Sequence, residues 1–126
     1  MDSTKITGIY MGNVYTHNFE RAYAFYADLL GLKNDKYKKE KNHYYFQINN
    51  DAALFIEGGY IMRETKDKES CASFTFNVGS VSAMFKKLKE DGITVVQDEP
   101  MKMQENVYWF QCFDPDGNIV EFIGGE

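Results

Sequence analysis

Cysteine is scarce in this chain: only Cys71 and Cys112 occur in 126 residues. They are far apart and form no CxxC spacing, so neither a disulfide framework nor a thiolate metal cluster is expected. A reducing cytoplasm is the simplest setting for such a chain. Neither cysteine has the basic sequence context that lowers a thiol pKa, so neither is read as a nucleophile. No apolar run approaches the roughly 18 residues needed to cross a bilayer, and no membrane partner is expected. The opening stretch, MDSTKITGIY, lacks the basic and apolar regions of a secretion signal. Positive charge is also in short supply. A net charge of -5 offers nothing to drive counterion release from phosphates, which argues against a nucleic-acid partner. The densest basic run, Lys36 to Lys41, is broken by Glu40 and reads as a solvated loop.

What is present fits one domain over 1–126, with a hydrophobic fraction of 44% that is ordinary for a globular core. Aromatics are abundant, with 10 Phe and 9 Tyr. That exceeds the needs of a small core, so some rings are expected to line a cavity. The chain divides into two similar halves, about 5–57 and about 71–126, joined by a polar linker near 58–70. In the first half Ile9, Met11, Asn13 and Tyr15 alternate with Tyr10, Gly12 and Val14 as a strand. Asn18 then caps a helix carrying Phe19, Ala22, Tyr23, Tyr26, Leu29 and Leu30 at helical spacing, and Gly31 ends it. The second half repeats the plan. Phe74, Phe76 and Val78 alternate with Ser73, Thr75 and Asn77, Ser80 caps a helix bearing Val81, Met84, Phe85 and Leu88, and Gly92 stops it. Period-two stretches follow each helix, at 43–49 and 52–57 and then at 93–97, 107–113 and 119–124, with a further strand expected near 32–37. Asp114-Pro115-Asp116-Gly117 forms a strong turn before the last of these. The expected class is α+β, two βαβββ modules.

Three segments make the pattern specific. FERAYAFYADLLGLK resembles the helix and turn that open the first module of the vicinal oxygen chelate superfamily, which includes glyoxalase I, the bleomycin-resistance proteins and extradiol dioxygenases. FNVGSVSAMFKKLKEDGI resembles the start of its second module, and FDPDGNIVEFIGG its closing hairpin. The resemblance covers almost the whole chain in the right order. It implies two βαβββ modules forming a curved half-barrel sheet around a cavity with helices outside, and a homodimer.

Metal-dependent members of that superfamily hold one divalent ion with four side chains, His, Gln or Glu, one from each of four strands. Carried over residue by residue, those positions fall on Met11, Phe55, Ser73 and Glu121, of which only Glu121 bears a ligand-type group. A rearranged set of His43, Glu57 and Glu121 is the alternative. His17 reads as a surface residue. By strand parity the cavity is expected to present Met11, Asn13, Tyr45, Gln47, Phe55, Glu57, Ser73, Thr75, Asn77 and Glu121. Either Trp109 with Gln111 or Tyr108 with Phe110 adds a further strand, a choice that parity leaves open. His43 joins this face if Tyr44, Phe46 and Ile48 pack under the helix.

Rings, amides, hydroxyls and two carboxylates on one face suit a small organic ligand, and the carboxylates suit a cationic one. The expected function is therefore metal-independent binding of a cationic or aromatic compound, with no cofactor and no catalytic residue. The alternatives are a metal-dependent lyase, isomerase, thiol transferase or dioxygenase of the same superfamily, or an interaction module whose cavity is filled by its own side chains. Protein purified without a histidine tag and soaked with Ni, Zn, Mn or Fe(II) is expected to retain no stoichiometric metal by mass spectrometry. Metal that is retained and then lost in Glu121→Ala would restore the enzyme reading.

Overall fold

A computed structural model describes residues 3–5, 10–59 and 74–126. The chain folds as two compact units, Met1–Met62 and Arg63–Glu126. Each is a small sheet with one helix against it, an α+β arrangement.

In the first unit, β1 (Gly12–Tyr15), β2 (His43–Asn49) and β3 (Ala52–Glu57) form a sheet in the order β1-β3-β2. β3 runs parallel to β1 and antiparallel to β2. Helix α1 (Phe19–Tyr23) begins where the Asn18 side chain accepts the Arg21 N–H at 3.1 Å, a cap that satisfies one of the otherwise unpaired first-turn donors. From Ala24 to Leu29 the helix widens to π geometry, closed by the Leu30 N–H on the Phe25 carbonyl at 2.9 Å. The wider turn buries Phe25 and Tyr26 together, their rings edge to face at 4.9 Å. Gly31 then reverses the chain at φ +74°, a backbone that side chains resist. The helix covers Val14, Tyr44, Phe46, Leu54 and Ile56, all buried, and these residues fall on one side of the pleat by register.

In the second unit the sheet order is β4-β7-β6-β5, from β4 (Phe74–Val78), β5 (Met101–Gln104), β6 (Val107–Phe113) and β7 (Ile119–Gly124). Helix α2 (Val81–Glu90) starts with the Ser80 hydroxyl accepting the Ala83 N–H, while the Val81 N–H reaches the Gly125 carbonyl at 2.8 Å. Val81 and Leu88 are fully buried, and Phe85 packs edge to face on Phe110 at 5.1 Å. Phe110, Phe122 and Phe76 continue the layer at 5.2 and 5.9 Å. Full burial of Phe110 and Phe122 is worth about 1.5–3 kcal/mol each. Buried Asp114 organises the turn ahead of β7. Its carboxylate accepts the N–H groups of Asp116 and Asn118 and the Asn118 side-chain amide at 2.8–3.0 Å, and Gly117 takes φ +84°.

Three sequence expectations need correction. Residues 32–37 form no strand: Asn34 instead clamps the Tyr44 hydroxyl, giving its N–H at 3.0 Å and taking the O–H at 3.1 Å. Among the described residues the first sheet thus has three strands. Residues 93–97 form no strand of the sheet: they lie against β6 as an isolated bridge, Val95 to Cys112, with the Val96 N–H on the Gln111 carbonyl and the Phe113 N–H on the Thr94 carbonyl, and the edge of the sheet is instead Met101–Gln104. Ile48 is exposed because the β2–β3 register slips between Gln47 and Asn49, and such a bulge takes its residue out of the alternation.

A Cβ at Gly124 would meet the Val78 carbonyl, which is backbone and cannot swing aside, so Gly124→Ala is expected to destabilise by roughly 2 kcal/mol or more in urea titration. Burial pushes the Cys112 thiol up from 9.0 to about 12, with the Asp114 carboxylate adding to the rise. The folded state therefore keeps a proton that the unfolded chain gives up. This contribution to stability is complete below pH 9.0 and is lost as the pH climbs towards 12. In a Cys71→Ser background, native protein is expected to resist a thiol reagent at pH 8 (about the lower edge of thiol ionisation) and to react on unfolding.

Candidate functional site

In each sheet the helix takes one face, and the other carries the polar and aromatic residues. On the first unit's open face, Asn13, Phe55 and Tyr45 form one row across β1, β3 and β2, and Tyr15, Glu57 and His43 form the next. His43 is exposed yet stacks on Phe55, with ring centres 5.8 Å apart and planes 11° apart. Tyr45 meets Tyr37 edge to face at 5.6 Å. Met11 is half-buried just ahead of β1, and Gln47 pairs with Ala53 one row further on. His17 is exposed and lies 3.1 Å from the Arg21 guanidinium.

On the second unit's open face, Thr75, Glu121 and Gln111 make one row, and Asn77, Ile123, Trp109 and Met101 the next. Register thus settles the choice that parity left open: Trp109 and Gln111 share the face of Glu121, while Phe110 lies in the core. Ser73 and Cys71 lie outside the described residues.

Glu121 is the centre of this face. The Thr75 hydroxyl donates to its Oε2 at 2.9 Å. The Trp109 indole N–H and the Gln111 amide both donate to its Oε1, at 3.1 and 3.0 Å. All three donors are neutral, and among the described residues no Lys, Arg or His forms an ion pair with it. A carboxylate in this half-buried position is thus oriented by three donors, and no cation among the described residues compensates its charge. Behind it, the Gln97 side-chain oxygen accepts the Gln111 backbone N–H at 2.7 Å, and its amide donates to Gln111 Oε1 at 2.9 Å. Nothing in the alternation of the chain marks Gln97 as part of this network, because it lies in an irregular segment brought beside β6 by the fold.

A family model covering residues 8–122 matches the chain, described as the Glyoxalase/Bleomycin resistance protein/Dioxygenase superfamily. The chain belongs to this superfamily. No curated protein matches it, but solved structures of the fold do. A glyoxalase/dioxygenase from Nostoc punctiforme aligns over 100% of this chain and 96% of its own, with TM-score 0.77 and 13% identity. The genomically encoded fosfomycin resistance protein FosX from Listeria monocytogenes aligns over 97% and 96%, with TM-score 0.70 and 17% identity. A glyoxalase/bleomycin resistance protein from Catenulispora acidiphila aligns over 93% and 97%, with TM-score 0.63 and 21% identity.

The glyoxalase and dioxygenase branches of the superfamily imply a metal centre, and the donor set here does not fit one. Of the carried-over positions, Met11 is a thioether, Phe55 a ring stacked on His43, and Glu121 a carboxylate already committed to three N–H and O–H donors. His43 and Glu57 are cross-strand neighbours in the first unit, but among the described residues no three His, Cys, Asp or Glu side chains gather.

The three-donor clamp has a direct consequence for stability. Glu121→Leu leaves the Trp109 and Gln111 donors without their acceptor and is expected to cost about 1–3 kcal/mol. Glu121→Gln keeps an acceptor oxygen and is expected to cost distinctly less, by chemical denaturation followed through the fluorescence of Trp109.

Proposed function

We propose that this protein binds and sequesters a small cationic or aromatic organic molecule without a metal or other cofactor, as a cytoplasmic homodimer, and that Glu121 is its charged contact. The observation that carries the reading is the clamp on Glu121. Three neutral donors fix the carboxylate's direction and leave its charge to be matched from outside the described protein groups. Desolvating a carboxylate without a counter-charge is costly, and a ligand ammonium repays that cost at the moment it binds. Trp109 on the same face adds the apolar area that gives small-molecule sites their affinity, while Thr75, Asn77 and Gln111 supply orientation.

On the first unit, Asn13, Tyr45, Phe55 and Glu57 share a face of similar character and are proposed as ligand contacts in their own right. One fold neighbour is named as a fosfomycin resistance protein and another as a glyoxalase/bleomycin resistance protein. Their identities of 17% and 21% bear on the fold, so the ligand is argued from Glu121 itself.

The test is a thermal-shift screen of aromatic amines and cationic antibiotics. Stabilisation follows RT ln(1 + [L]/Kd), so a true ligand raises the melting temperature in a concentration-dependent way. For any hit, Glu121→Gln is expected to weaken binding by about 1–3 kcal/mol, the worth of a hydrogen bond to a charged group, with the fold retained. A screen without shifts, or a hit indifferent to Glu121→Gln, counts against this reading.

A further inference from the structure

We infer that the cation contact at Glu121 selects a single-point donor, an alkylammonium, over a forked donor such as an amidinium or guanidinium. This rests on the reading of Glu121 as a cation contact and goes on to name the ligand's head group. An ionised carboxylate has about four acceptor positions, two on each oxygen. Oε1 receives both the Trp109 indole N–H and the Gln111 amide, which fills it. Oε2 receives the Thr75 hydroxyl, so among the described donors only one acceptor position remains, and it is on Oε2. A guanidinium or amidinium gains its advantage over an ammonium by bonding both oxygens in parallel. That geometry is closed here, because one of its two N–H groups would face an oxygen already saturated. An ammonium needs one position and loses nothing.

The selectivity depends on Gln97 as a positioning residue. A glutamine amide can present either end, and the network decides which. The Gln97 oxygen is committed to the Gln111 backbone N–H at 2.7 Å, so its NH2 end must face Gln111 Oε1, at 2.9 Å. Gln111 is then obliged to turn its own NH2 end to Glu121. Without Gln97, the Gln111 amide is free to swing or flip, and Oε1 recovers an acceptor position.

Benzylamine and benzamidine make the test, since they share a phenyl ring and a single positive charge but differ in donor geometry. Each is titrated into the full chain and followed by the side-chain N–H resonances. The chain has one tryptophan, so the indole signal of Trp109 reports on Glu121 without ambiguity. Benzylamine is expected to bind about tenfold more tightly, the order of one charge-assisted hydrogen bond. That preference is expected to shrink or invert in Gln111→Leu, and in Gln97→Ala should the first variant fail to fold. Equal or tighter binding of benzamidine to the unaltered chain overturns the single-donor inference while the cation reading stands, as does a preference that survives in the folded variants. Failure of both probes to move the indole signal, or an equal response in Glu121→Gln, overturns the cation reading and this inference with it.

Discussion

Each unit rests on the burial of one face of a small sheet under a single short helix. Because side chains alternate strictly along a strand, that burial decides the fate of the other face as well. Once Val14, Tyr44, Phe46, Leu54 and Ile56 go under α1, Asn13, Tyr45, Phe55 and Glu57 have only the opposite side to occupy. The same holds in the second unit. Phe110, Phe122 and Val120 take the α2 side, and Trp109, Gln111, Thr75 and Glu121 are thereby gathered on the other. The polar face is a consequence of the apolar one, and a slip of one residue would exchange them.

Polar groups collected in this way must then satisfy one another. Among the described residues Glu121 does so with neutral donors, which separates two needs that an ion pair would merge. Its hydrogen-bonding demand is met and its direction is held by Thr75, Trp109 and Gln111. A lysine in place of Gln111 would quench the carboxylate's charge. The paired glutamines Gln97 and Gln111 lock the arrangement from behind, since each amide end has one compatible partner.

Much of the fold was legible in the chain because its signals are local. The N-caps Asn18 and Ser80, the glycines at the helix ends and the Asp114–Gly117 turn each depend on neighbours within a few residues, and the structure shows them all in these roles. The failures share a cause as well. Residues 32–37 and 93–97 have apolar content compatible with strands. What they do depends on distant partners: the Tyr44 hydroxyl for Asn34 in one case, the edge of β6 in the other. Ile48 obeys period two in the sequence and is put outside it by a bulge, which only pairing can create.

The sequence by itself determined the α+β class and, within each unit, the sheet face on which Asn13 and Phe55 or Thr75 and Glu121 lie, because hydrophobic periodicity and capping are properties of short segments; the family was legible only through the resemblance of three of those segments. Tertiary structure alone decided what Glu121 touches. Its partners come from positions 75, 109 and 111, with 97 behind them, and they meet through parallel and antiparallel pairing of strands that are distant in the chain. Hydrogen bonds act over about 3 Å, and no pattern along a single strand can say which residue of another strand arrives within that reach.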